Sequence, residues 1–381
     1  MLLPPRLCLL FILLLASVGR AAPAPVPVPT GNPLTVYFFD VGQGDAALVV
    51  SPAGKTVLID GGPPEAGPRL VSRLRQLVHA PLDLVLLTHP HLDHLGSMRD
   101  AIQAVGAKRF MDPGFDHPSA AYRDLLEFVG QEVGQVMTAS PNPQTPHTFL
   151  TIGLGEGVQL TLYWPRHPLE PFLKDTRSDA NSNSIVARLS YGKTSFLFTG
   201  DAEPDTEQAL LQKKVLLSST VLKVAHHGGR HASTAPFLAA VKPQTAVISC
   251  GANNEYGHPN PEVLERLKDV GTRLFRTDQQ GEIKAVSNGT TVTFQAERGP
   301  AEPPQREWTK DLTREPSPPP PERPAVAAPP ETPRYVSLKG SEVFHREDCA
   351  TLKRAKTKER KIYTRRADAA RERRAAEDCH P

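Results

Sequence analysis

The sequence predicts an α/β sandwich, and three observations predict it. Short β-branched or aromatic runs recur through the first 296 residues, segments with apolar residues at helical spacing stand between them, and Gly-rich turns part the two kinds. Strands buried on one face and covered by helices on the other satisfy all three; an all-helical or all-strand fold does not.

The sheet opens with strands over 34–39, 46–50 and 56–59. Residues 68–78 follow with Leu70, Val71, Leu74, Leu77 and Val78 at helical spacing, and 82–87 is a continuous apolar strand. Further helices are expected over 95–105, 120–131, 204–212, 234–241 and 261–270. Further strands are expected over 159–164, 184–190, 194–198, 220–225, 245–249 and 282–286. Order stops after about Gln295. Residues 300–333 hold twelve prolines, which suits an extended, semi-rigid linker over 297–334 and leaves a small second unit over 335–381. At 381 residues, two domains are also what length suggests.

Met1-Leu2-Leu3-Pro4-Pro5-Arg6 is followed by an apolar run from Leu7 to Val18 and small residues at Ala21 and Ala22, the order of a secretory signal peptide over 1–22. The run is shorter than the roughly 20 residues that cross a bilayer, so a secreted or periplasmic protein with no stable membrane association is expected after cleavage. Three cysteines then remain, Cys250 in an apolar segment and Cys349 and Cys379 near the C-terminus. The net charge is only +3, but Lys and Arg are concentrated between Lys353 and Arg374.

Chemistry concentrates in Thr88-His89-Pro90-His91-Leu92-Asp93-His94, directly after the apolar strand 82–87. Imidazoles two residues apart converge on one ion, while the following carboxylate and imidazole address a second beside it. Two divalent ions so placed activate water at neutral pH and stabilise attacking and leaving oxygens, which is hydrolytic chemistry. More ligands must come from other strand ends. Asp201 follows 194–198, though it equally suits the cap of the helix from Pro204. His226 and His227 follow 220–225 and precede two glycines, and His258 stands in Tyr256-Gly257-His258-Pro259.

These stretches, with Phe39-Asp40-Val41-Gly42-Gln43-Gly44-Asp45-Ala46, Leu58-Ile59-Asp60-Gly61-Gly62 and Asn183-Ser184, resemble the metallo-β-lactamase-fold domain of the ComEC type over 34–294. The resemblance implies a four-layer αβ/βα sandwich and two divalent metal ions, zinc first and manganese as the alternative. It implies His89 and His91 on the first metal, Asp93 and His94 on the second, and Asp201 as the bridge. His226 or His227 then completes the second site, and Asp93 and His258 take part in the chemistry. His258 would be a donor to phosphate or to the leaving group, a role suited to an imidazole that titrates near neutrality. Many members supply a third histidine to the first metal before the bridging aspartate. Here Asp179, Asn181 and Asn183 occupy that region, so a weaker or more oxygen-rich first site is expected.

The C-terminal unit resembles a small Cys-rich module appended to secreted nucleases, with Ala376 where that pattern has a cysteine. His345, Cys349, Cys379 and His380 suit a zinc site, and Cys349 with Cys379 equally suits a disulfide. The basic residues of this unit suit nucleic acid, bound in a salt-dependent way. A secreted phosphodiesterase or nuclease acting on DNA is therefore expected. The alternatives are a hydrolase of a small ester, lactone or phosphocholine-type group, and a non-catalytic DNA- or surface-binding protein.

Overall fold

The structure is a computed structural model that describes residues 32–299 apart from 143 and 168. In the C-terminal unit it describes 335–338, 341, 343–346, 349, 352, 359–363, 369 and 374–375. The expected signal segment 1–22, the linker from 300 onward, Cys379, His380 and most of the basic residues after Lys353 lie outside the described residues.

Two sheets face each other. The first has eight strands, in the order Val292–Ala296, Ile283–Ser287, Leu34–Phe38, Ala47–Val50, Thr56–Ile59, Leu84–Leu86, Arg109–Asp112 and Gln135–Thr138. The second has seven, in the order Arg273–Arg276, Thr245–Ile248, Val221–Lys223, Thr194–Phe198, Val186–Tyr191, Gln159–Trp164 and Thr151–Gly153. Side chains alternate across each strand, so one set fills the space between the sheets and the other meets helices. Leu34, Val36 and Phe38 pack between the sheets with Phe196, Phe198, Val221 and Val247. Tyr37, Leu58 and Val85 point the other way, onto the helices Gly67–Leu77, Met98–Val105 and Ala120–Glu132. On the far side Leu197, Leu222 and Ala246 meet the helices Pro204–Gln212, Ala235–Val241 and Pro261–Asp269. The result is helix, sheet, sheet, helix, the four layers expected. Each fully buried Leu or Phe in these layers contributes about 1.5–3 kcal/mol.

Five short strands escape the apolar-run reading: Arg109–Asp112, Gln135–Thr138, Thr151–Gly153, Arg273–Arg276 and Val292–Ala296. Two of them, Gln135–Thr138 and Thr151–Gly153, are sheet edges with largely exposed side chains. Val292–Ala296 alternates buried and exposed residues and closes the sheet. The helix expected over 95–105 is two pieces, Leu92–Leu95 and Met98–Val105. Gly96 keeps helical dihedrals and the break falls at Ser97, φ −105° and ψ 8°; a Cβ on Gly96 would lie 2.5 Å from Pro64, so glycine fits there.

The C-terminal unit is a small sheet in the order Arg360–Tyr363, Tyr335–Leu338, Val343–Arg346 and Arg374–Ala375. His345 and Cys349 are both buried in it, with Cys349 Sγ 3.7 Å from His345 Nδ1. Among the described residues no helix is long and apolar enough to cross a membrane.

Candidate metal centre

The parallel strands of both sheets end on one edge, where their next residues carry the polar groups. Leu84–Leu86 leads to His89 and Thr56–Ile59 to Asp60. Across the gap, Thr194–Phe198 leads to Asp201, Val221–Lys223 to His226 and His227, and Thr245–Ile248 to Ser249. His91 caps the turn Leu92–Leu95, which presents Asp93 and His94 from a single helical turn.

Asp201 lies at the centre. Its Oδ1 is 3.2 Å from His94 Nε2, and its Oδ2 lies 3.8 Å from His89 Nε2, 3.7 Å from His226 Nε2 and 3.6 Å from His227 Nε2. Glu203, not Asp201, is the N-cap residue of Pro204–Gln212, which removes the capping alternative. His227 Nε2 is also 3.1 Å from Asp93 Oδ2. Asp93, His94, Asp201 and His227 thus offer ligand atoms that all lie within 4.8 Å of one another. His226 stands outside that group and donates from Nδ1 to Glu203 Oε1 at 2.9 Å. Both histidines have left-handed backbone, φ 51° and 53°, which splays their rings from adjacent positions. His89 Nε2 and His91 Nδ1 are 3.1 Å apart, near the roughly 3.3 Å edge of a tetrahedron of nitrogens bound to one ion at about 2.0–2.1 Å.

Carboxylates and carbonyls behind the imidazoles fix their faces. His94 Nδ1 donates to Asp60 Oδ2 at 2.9 Å, and Asp60 is held in turn by the Thr88 N–H at 2.7 Å and the Thr88 hydroxyl at 2.8 Å. His227 Nδ1 donates to the Ser249 carbonyl at 3.0 Å, with Asp45 Oδ1 3.6 Å away. Such partners orient a metal-binding imidazole and raise its basicity. Gly44 brings the 40–46 loop onto the site: a Cβ there would lie 2.3 Å from the Asp93 carbonyl oxygen, which accepts the Asp45 N–H at 3.1 Å.

His258 is held differently. Gln43 Oε1 accepts the Gly251 N–H at 3.1 Å, so its amide nitrogen faces His258 Nδ1 at 3.4 Å. Nδ1 is therefore an acceptor and Nε2 carries the ring proton. Burial, with His226 and His227 adding to it, pushes His258 down to about 4. This corrects the expectation of a group titrating near neutrality; at pH 7 His258 is a neutral hydrogen-bond donor.

Burial works against charge on His94 and His227, yet Asp201 and the carboxylates behind them hold His94 well above the usual range and His227 at about 10. Burial pushes His91 down to about 4 and His89 further below its ordinary value. In the metal-free chain, protons on His94 and His227 balance Asp201 and Asp93. His94 Nε2 and Asp201 Oδ1 are buried, adjacent and without a hydrogen-bond partner among the described residues. Divalent cations suit this donor set, displacing those protons as they bind.

Asp179 and Asn183, in the region of the missing histidine, are committed to their own loop. Asp179 Oδ1 accepts the Thr176 N–H and hydroxyl, and Asn183 bonds the backbone of Leu173 and Asp179. Sequence reasoning gives no role to Asp45, Asp60, Gln43, Glu203 or Lys223. It also misses His117, whose ring centroid is 5.6 Å from that of His91. Asp45, Asp60 and Gln43 stand inside the motifs quoted above, but their work is to hold other side chains, which spacing does not reveal.

The sequence pattern of the metallo-beta-lactamase superfamily matches residues 39–171. ComE operon protein 3 of Bacillus subtilis (strain 168) is 30% identical over 278 residues, 68% of this chain and 34% of that protein. Competence protein ComA of Neisseria gonorrhoeae is 30% identical over 278 residues, 72% of this chain and 35% of its own. The chain spans about a third of the length of these curated relatives. Among solved structures, the metallo-beta-lactamase fold protein YhfI of Bacillus subtilis has TM-score 0.42 at 15% identity, covering 69% of this chain and 100% of that one. The superfamily match runs through the strand and turn that carry His89, His91, Asp93 and His94, while Asp201, His226, His227 and His258 lie beyond it; the chain belongs to the metallo-beta-lactamase superfamily and is similar, within it, to proteins of the ComEC type.

Proposed function

We propose that the protein is an exported, metal-dependent phosphodiesterase that cleaves DNA. The observation that carries this reading is the convergence of Asp93, His94, Asp201 and His227 within 4.8 Å, with His258 beside them as a neutral donor. Divalent ions bound there supply a nucleophile from water at neutral pH and positive charge to oppose that of a phosphate. The remaining work falls to the chain. His258 Nε2–H holds a phosphate oxygen in a site lined by acceptors. Asp93, whose side chain is 34% exposed while Asp201 is 2% exposed, is the open carboxylate and would take up a proton at the oxygen it does not offer to the ion. Asp60, Glu203 and the Ser249 carbonyl keep three imidazoles facing inward. Export rests on the signal-like order of residues 1–22, and capture of DNA on the basic residues from Lys353 to Arg374.

The test is a panel of single-stranded DNA, a small aryl phosphodiester, a phosphomonoester and a lactone. Each is given to the zinc- or manganese-loaded protein and to a version truncated at Pro300. Cleavage of both diesters, with truncation raising KM for DNA alone, is expected. Turnover of the lactone alone moves the substrate to the small-ester class. Less than one ion per chain with DNA binding intact favours the non-catalytic reading.

A further inference from the structure

The ligands of the candidate second metal come from two different sheets: Asp93 and His94 from the first, Asp201 and His227 from the second. Their convergence depends on how the two sheet edges sit against each other, and one buried ion pair ties those edges together. Lys223 ends Val221–Lys223 in the second sheet and turns inward below the cluster, 5% exposed. Its Nζ lies 2.7 Å from Asp45 Oδ2, on the loop after the first strand of the other sheet, and 3.1 Å from the Val224 carbonyl. Asp45 then reaches both halves of the site. Its N–H donates to the Asp93 carbonyl at 3.1 Å, and its Oδ1, which has no hydrogen-bond partner among the described residues, stands 3.6 Å from His227 Nδ1.

Little room for solvent is left beside the lysine. The void bordered by Asp45, Asp60, Thr88, Gly200 and Lys223 is about 10 Å³, at or below what one water needs. A buried ion pair is weak evidence of stability by itself, since a well-packed apolar pair serves as well. This one also joins a carboxylate to a candidate metal-binding imidazole and to the backbone of a candidate metal-binding aspartate.

We propose that Lys223 is a positioning residue for the second metal: through Asp45 it fixes Asp93 and His227 relative to each other and keeps a negative charge behind the His227 ring. The proposal rests on the metal-centre reading above. Loss of such supporting partners typically lowers metal affinity about 10–100-fold.

The experiment measures zinc stoichiometry and stepwise affinity by chelator competition, together with thermal unfolding of the metal-free chain. It uses the full chain as wild type, Lys223→Met, Asp45→Asn and the double variant. Lys223→Met is expected to keep the first-site ion and to weaken the second-site ion about tenfold or more. Removing both charges is the decisive arm, because it restores packing without an orphaned carboxylate. The double variant is expected to recover most of the unfolding temperature lost by Lys223→Met, yet to keep the weakened second affinity. Recovery of both, or wild-type affinities in Lys223→Met, overturns the proposal and leaves the pair a purely structural contact. A wild-type chain that binds no zinc overturns the metal-centre reading itself, and this proposal with it.

Discussion

His94 Nδ1 donates to Asp60 Oδ2 across 2.9 Å, and this contact decides that His94 turns Nε2 toward Asp201. Asp60 has left-handed backbone at φ 58°, a conformation asparagine tolerates well, so Asp60→Asn changes the charge with little backbone cost. The variant is expected to fold and to bind its second-site zinc ion about 10–100-fold less tightly, read by chelator competition. An unchanged affinity would detach Asp60 from the metal centre.

Gly44 makes a sharper steric prediction. A methyl group there meets the Asp93 carbonyl at 2.3 Å and Pro63 at 2.8 Å, both in the site's own framework. Gly44→Ala is expected to destabilise the chain by about 1–3 kcal/mol and to lower zinc stoichiometry. Gly130, inside Ala120–Glu132, is the contrast: a methyl group added there would have nothing within 4 Å. Gly130→Ala is therefore expected to stabilise by roughly 0.5–1 kcal/mol with zinc binding unchanged. Denaturant unfolding of the two variants side by side checks both.

Much of this was legible in the sequence, for reasons that differ by residue. His89, His91, Asp93 and His94 are close in the chain, so spacing alone groups them. Asp201, His226 and His227 are distant, but each follows an apolar strand, and strand ends share an edge in this kind of fold. The choice between His226 and His227 was not legible, because it depends on two consecutive left-handed residues that turn adjacent rings apart. Nor was Lys223, which a strand pattern places merely as a polar residue at a strand end. The short strands failed for a simpler reason: four residues with mixed side chains, as in Arg109–Asp112, carry too little periodicity to stand out.

Away from the metal centre, Glu207 sets a pH dependence. It is buried and accepts the Thr234 N–H at 2.9 Å and the Ser233 N–H; burial raises it to about 7 despite those donors. The folded chain therefore holds this proton between the unfolded value of 4.5 and about 7, where the unfolded chain releases it. Stability contributed by Glu207 is present at low pH and lost as pH rises through that window. Relative to Glu207→Gln, the wild type is expected to gain about 2 kcal/mol on going from pH 8 to pH 5.5. Denaturant unfolding of both proteins at the two pH values reads the difference directly, and parallel pH profiles would contradict it.

His258 is predicted to serve substrate and not metal. His258→Ala is expected to bind zinc as the wild type does while losing about 10²–10³-fold in kcat/KM on a diester, the size of effect seen when one oxyanion donor is removed. Loss of zinc in this variant would instead make His258 a ligand.

The most direct measurement is the rate of single-stranded DNA cleavage by zinc- or manganese-loaded wild type against Asp201→Ala, with bound metal quantified in both. Asp201 touches His89, His94, His226 and His227, so its removal dismantles the cluster. Cleavage by the wild type with about two ions per chain, lost together with metal in Asp201→Ala, is the predicted result. Equal rates in the two proteins, or a fully loaded wild type that cleaves no phosphodiester, would contradict it.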